Sequence, residues 1–203
     1  MPTVEWDKKT MPPLKLKQQG FSLFIVLIVM LVIAFLVIAG TQSVNTEMRM
    51  SSNDADRKYA LSLAESALRT GENRIAALPA NTAFSVACTD GLCVPAGGVT
   101  VPMGSERFTI AATERVGSCT AAGCNTIAWE RTIGAPNTDN ILNSGTKSVQ
   151  VNTADAAKKP RYIIEYLNKD NQGRYFFRVT ARAWGKNDNT VVTLQSYVEA
   201  TFP

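Results

Sequence analysis

Histidine is missing altogether from the 203 residues. That removes the commonest general base, the usual nitrogen ligand for zinc and the usual proton switch near neutral pH. Aromatic residues are sparse at 8%, and much of the remaining apolar content sits in one block. The rest of the chain is polar and has little material for a core. The net charge of +4 is mild and spread out. No cluster of Lys and Arg interleaved with aromatics occurs, so the electrostatic footprint of a nucleic-acid-binding face is lacking. No nucleophile elbow, phosphate loop or metal triad is present either. These gaps point to a non-enzymatic chain without a cofactor. The length fits one domain plus an extension.

Charge is also absent from one continuous stretch, residues 21 to 40. At about 1.5 Å per residue, roughly 20 helical residues span a hydrocarbon core about 30 Å thick. Ahead of it Lys8, Lys9, Lys15 and Lys17 outnumber Glu5 and Asp7. Positive charge before an apolar helix holds that end in the cytoplasm and sends the C-terminal bulk outward. Three readings compete. The run is a single-pass anchor, or a cleaved secretory signal, or it follows a cleavage at Gly20 that leaves Phe21 as the new N-terminus. The secretory reading is the poorest. A signal has an apolar core of about 7–15 residues and a small-x-small site after it, and Val37-Ile38-Ala39 is a poor one.

Beyond the apolar run no proline occurs until Pro79. Leu61, Ala64, Leu68, Gly71, Ile75 and Leu78 recur at three- and four-residue steps and form one apolar face. Arg57, Lys58, Glu65, Arg69, Glu72 and Arg74 fall mostly off it, with Glu65 and Arg69 in the favourable order for a surface pair. The pattern predicts one helix over 21–78, ended by Pro79. Gly71 reads as its weak point, since Gly in a helix interior costs about 1 kcal/mol relative to Ala.

In the remainder, residues 108–112 and 127–133 read as short strands, and 137–152 as a surface loop or insert. The clearest strand signals are 161–167, 174–184 and 190–202, joined by turns at 168–173 and 185–189. Tyr175, Phe177, Val179, Ala181 and Ala183 alternate with Arg178, Thr180 and Arg182, while Val192, Leu194, Val198, Ala200 and Phe202 share one face. An antiparallel meander is expected, packed on the 61–78 helix face. The turn at 168–173 mimics the start of a calcium loop, but the twelfth position is Val179, where a bidentate glutamate is needed; a hairpin turn is the better account. Cys88 and Cys93, and Cys119 and Cys124, have identical C-x4-C spacing. In a translocated domain an even cysteine count suggests disulfides, and four cysteines allow three pairings. The two local loops are favoured, Cys88 with Cys93 and Cys119 with Cys124, because each contains a glycine for the turn. The competing reading is a four-cysteine zinc site, which the oxidising compartment argues against.

The junction Lys17-Gln18-Gln19-Gly20-Phe21-Ser22-Leu23 resembles the type IV prepilin leader. The resemblance implies cleavage after Gly20 by a membrane-embedded prepilin peptidase and N-methylation of Phe21. Pilins usually carry glutamate at the fifth mature position; here that residue is Ile25, which points toward a minor, tip-proximal subunit and equally to a plain apolar helix residue. More specific is the stretch from Glu47 to Glu72. Its E-x-x-M…N-x-x-D-R and A-E-[AS]-A-L-R-x-G-E patterns resemble the PilX family of pilus assembly proteins, as do Pro160-Arg161-Tyr162-Ile163-Ile164-Glu165, Arg178-Val179-Thr180-Ala181-Arg182-Ala183 and Val192-Thr193-Leu194-Gln195-Ser196.

The expectation is therefore an α+β, type IV pilin-like fold: a leader at 1–20, a long helix at 21–78 (transmembrane over 21–40), and a periplasmic β-rich head at 79–203. The helix is expected to pack against an antiparallel sheet. The resemblance implies a minor pilin that primes or caps pilus assembly near the tip and serves motility, adhesion or DNA uptake. It would be held in the inner membrane before entering the pilus. The implied partners are other minor pilins, the major pilin, a large tip adhesin, the prepilin peptidase and the inner-membrane assembly platform, with no nucleic acid expected. Two alternatives stay open: a membrane-anchored periplasmic binding module, and a minor pseudopilin of type II secretion.

Overall fold

The computed structural model describes residues 21–100, 107–134, 137–153 and 158–203. Two compact units divide the chain, one ending at Met50 and the other spanning Ser51–Pro203. The secondary structure begins with one helix, α1 (Phe21–Ala76).

In the first unit, Phe21–Gly40 is long and apolar enough to cross a membrane, and none of it is buried. Phenylalanine, leucine, isoleucine and valine lie on all sides; Phe21, Leu23, Phe35 and Leu36 are each about two-thirds exposed or more. A helix apolar all round suits an apolar surrounding, not a single packed face.

In the second unit α1 loses its aliphatic bulk and presents a seam of small residues. Ala60, Ala64 and Ala67 are fully buried, with Ile75 and Leu78 below them. The buried face lies slightly round from the expected one: Leu61 is at the exposed margin and Leu68 half-buried. The reason is close approach. A Cβ on Gly71 would stand 2.6 Å from Val179 Cγ1 and 2.9 Å from Tyr162 Cδ2. Gly71 is thus the slot in which the helix lies on the sheet, and its cost in helix propensity is offset by that contact. The helix closes on tight i→i+3 bonds, Ala77 N–H to Arg74 O and Leu78 N–H to Ile75 O, just before Pro79. Among the described residues no ion pair joins Glu65 to Arg69; Lys58 pairs with Asp54 at 2.7 Å instead.

Among the described residues nine strands follow: β1 (Ala83–Phe84), β2 (Leu92–Cys93), β3 (Thr109–Ile110), β4 (Thr132–Gly134), β5 (Asn137–Asn140), β6 (Val149–Gln150), β7 (Arg161–Lys169), β8 (Tyr175–Trp184) and β9 (Val191–Ala200). The expected meander is present as β7–β8–β9, antiparallel throughout. It is extended to a mixed sheet by β2, which adds parallel to β7, and by β6, which pairs antiparallel with β7. The middle of the chain departs from expectation. Only two residues of 108–112 are strand, and Ala128–Glu130 is a 3₁₀ turn ahead of the short β4. The stretch read as a surface loop instead contains β5, a 3₁₀ turn at Ile141–Asn143 and β6, and it buries Ile141 and Leu142.

Around β7 and the middle of β8 the sheet is covered on both faces. Tyr162, Ile164 and Tyr166 of β7 join Phe177, Val179 and Ala181 of β8 in the core under α1. Phe108 is the hub of its aromatic part, with ring centroids 5.4 Å from Phe84, 5.3 Å from Tyr166 and 5.4 Å from Tyr175, all near edge-to-face. That arrangement adds a specific attraction to the area buried. On the opposite face Ile163 packs with Ala128, Ile141, Leu142, Cys88 and Cys93, and Trp129 lies at the margin.

Candidate interaction surfaces

Three sets of contacts set the shape of the second unit. The first is a clasp between α1 and the β8–β9 turn. Asp56 accepts the Lys186 amide at Oδ1 (2.6 Å) and the Asn187 amide at Oδ2 (3.4 Å). The turn can come this close because position 185 is glycine; a Cβ there would lie 2.5 Å from both Asp56 carboxylate oxygens. The Thr190 hydroxyl does most to hold the Asp56 carboxyl below its ordinary value; partial burial opposes it, and the two amides and the Lys186 charge reinforce it. Beside the clasp lies an open cleft of about 350 Å³ lined by Ser52, Asn53, Asp56, Tyr59 and Asn187 among others.

The second set is a buried ion pair. Glu165 is fully buried, and Arg178, directly opposite it on β8, meets it with two parallel bonds of 2.7 Å, Nε to Oε2 and Nη2 to Oε1. The guanidinium lies over the Trp129 ring at 4.3 Å and 5.9 Å from the Tyr197 ring. Burial works against the Arg178 charge, but the Glu165 hydrogen bonds and charge raise its pKa on balance. A bidentate pair of this kind fixes register: a slip of β8 by one residue would put the two charges on opposite faces and leave Glu165 unpaired.

The third set ties the two cysteine loops together. Cys88 is disulfide-bonded to Cys93 and Cys119 to Cys124, with Cα separations of 4.3 and 5.8 Å. The buried Arg131 reaches both loops. Its Nε donates to the carbonyls of Gly123 and Thr126, each at 3.0 Å, and its Nη1 to the carbonyl of Val86 at 3.3 Å and to Cys88 Sγ at 3.7 Å. Glu114 Oε1 accepts the Val86 amide at 3.1 Å. Burial lowers the Arg131 pKa, opposed by the charges of Glu165 and Glu114. Asp170 plays the smaller part of closing the β7–β8 turn: its Oδ1 accepts the amides of Gln172 and Arg174, and its Oδ2 pairs with Arg174 Nε at 2.7 Å. That is a hairpin turn, as the sequence suggested for 168–173.

Of the residues singled out in the sequence, Gly20 lies outside the described residues. Phe21 and Ile25 are exposed in α1. The Asp56 clasp and the Arg131 hub were not anticipated. The Glu165–Arg178 pair had a visible sign: one carboxylate inside the apolar run Tyr162-Ile163-Ile164-Glu165-Tyr166, and one guanidinium inside Phe176-Phe177-Arg178-Val179.

Two family models match the chain. One, described as the N-terminal part of PilX, matches residues 19–69. The other, described as the C-terminal part of the type IV pilus assembly protein PilX, matches residues 89–200. No curated protein and no solved structure matches. The C-terminal match includes the Arg131 hub, the Glu165–Arg178 pair and all three long strands, and the N-terminal match includes the apolar run and Asp56. The chain therefore belongs to the PilX family of type IV pilus assembly proteins.

Proposed function

We propose that this chain is a minor type IV pilin that primes or caps the pilus and sits near its tip. The observation that carries the reading is the continuity of α1 within the family match. One helix begins at Phe21, is apolar on every side to Gly40, and then presents a small-residue seam to its own sheet. A segment apolar all round is at home both in lipid and among other apolar helices, so transfer between the two carries no large hydrophobic cost. In this reading the prepilin peptidase cuts after Gly20 and Phe21 is N-methylated. The leader 1–20 is lost, the segment 21–40 holds the subunit in the inner membrane, and the head faces the periplasm. The assembly platform then moves the helix into the fibre among the major and minor pilins, beneath a large tip adhesin.

Ile25 supports a terminal place in the fibre. A carboxylate at that depth costs several kcal/mol unless paired, and a subunit with isoleucine there offers no charge to a neighbour's amine. The test is mass spectrometry of the protein from membranes and from sheared fibres. A chain starting at methylated Phe21 is expected in both. An intact leader, together with normal fibres after deletion of the gene, would leave a membrane-anchored binding module as the better account.

A further inference from the structure

β9 ends the main sheet. Ten consecutive residues pair with β8 without a register shift, whereas the β7–β8 ladder has one. Among the described residues no strand pairs with the other edge of β9. Gly185 N–H donates to Thr190 O at 2.8 Å. Alternation from that bond turns the backbone groups of Val192, Leu194, Ser196, Val198 and Ala200 toward β8. It turns those of Val191, Thr193, Gln195, Tyr197 and Glu199 outward. Native edges are commonly protected by proline, lysine or a bulge; β9 has no proline, no lysine and a single charge, Glu199.

Side chains specify what fits. On the α1 side, the rows of β7 and β8 are fully buried, but Val192, Leu194, Val198 and Ala200 are only half-buried, and the enclosed Ser196 hydroxyl has no hydrogen-bond partner among the described residues. The core is open at this edge. On the other side Thr193, Gln195 and Tyr197 stand in solvent. The complement is an extended segment of period two, apolar on the α1 side and polar on the other.

The geometry points to strand addition at β9 by an amphipathic segment of a different pilus subunit. A second copy of this chain is the wrong occupant. Antiparallel pairing of two β9 edges would set the two 51–76 helices in opposite directions, whereas subunits anchored in one membrane enter it from the same side; parallel pairing would turn the copy over and set its exposed polar row beside the half-buried apolar one. This inference rests on the membrane-anchored pilin reading. Outward amides supply affinity and the half-open apolar row supplies selectivity.

The test uses the full chain in detergent micelles and a synthetic peptide with the sequence of residues 191–200 as the probe, because that sequence has the required pattern and, free of a helix, no orientation constraint. Excess peptide is expected to slow amide exchange at Thr193, Gln195 and Tyr197 at least tenfold by NMR. Gln195→Pro removes one outward N–H and leaves the ladder to β8 intact; it should abolish the slowing. Gln195→Val, which loses only the side-chain bond to Thr180, should keep it. If Gln195→Pro lowers the melting temperature, Gln195→Lys replaces it, placing charge on the edge at an exposed residue. In cells, deletion of the gene should remove most surface fibres, the edge variant should restore at most a tenth of them, and Gln195→Val should restore them fully. Equal exchange with and without peptide, or full fibre numbers with the edge variant, overturns the inference. So does a dimer of the chain alone that the edge variant dissociates. Normal fibres after deletion would instead overturn the pilus reading, and the exchange result would stand apart from it.

Discussion

Between Phe21 and Gly40, α1 shows bulky apolar side chains to every side and covers none of them; between Ala60 and Ile75 it shows alanine and glycine to one side and covers them all. Both stretches belong to the same helix, yet their chemistry is opposite. Large residues on all faces need an apolar medium or several helical neighbours. Small residues on one face need a single flat partner at short range, and the sheet supplies it at Gly71, Val179 and Tyr162. The first stretch is covered by nothing among the described residues; the second has its partner within its own unit.

Four substitutions would break or sharpen that contrast. The largest effect is expected in the second stretch's support. Arg178→Ala leaves Glu165 buried and unpaired, and should cost about 3–5 kcal/mol of head stability, read as a lower midpoint in chemical unfolding with unchanged membrane insertion. Next, Val29→Lys places a charge at the middle of the apolar run and should penalise insertion by about 3 kcal/mol. Its check is the membrane-bound fraction, with the unfolding midpoint of the head unmoved. A shift in both would show that the two stretches are not independent.

Third, Gly71→Ala is a test of sign. Helix propensity alone favours alanine by about 1 kcal/mol, but the added methyl meets Val179 and should destabilise by about 1–3 kcal/mol through overpacking. A more stable variant would remove the slot from the account. The smallest effect is at Asp56. Its folded-state pKa lies below the ordinary value of 3.8, so its contribution is complete above that value, falls as pH drops through the folded value, and is absent below both. Asp56→Asn should flatten the acid limb of a stability–pH profile and leave the neutral limb nearly level.

Much of this was readable from residues. The uncharged run, the proline-free helix and the three long strands follow from periodicity, because each is dictated by neighbours in sequence. The choice of helix face was off by a small rotation, since alanines and a glycine give a weak hydrophobic signal and yet make the closest contact. The segment from 108 to 150 was the least legible. Its strands are two to four residues long and its order comes from Arg131, Glu114 and two disulfides, which join positions up to 45 residues apart. Local propensity has no access to such partners. Asp56 is similar: on a helix surface it reads as a solvated charge, and only the β8–β9 turn, 130 residues on, gives it a role.

By itself the sequence determined where this chain is helical, where it is extended and which stretch suits an apolar surrounding. All three depend on the spacing of side chains along the backbone. Tertiary structure alone decided that Gly71 is a contact point, that Glu165 is paired with Arg178, that Arg131 links both cysteine loops and that β9 has no strand on its outer edge among the described residues. Those outcomes depend on which distant segments meet, and a hydrogen bond or a packed methyl exists only once they do.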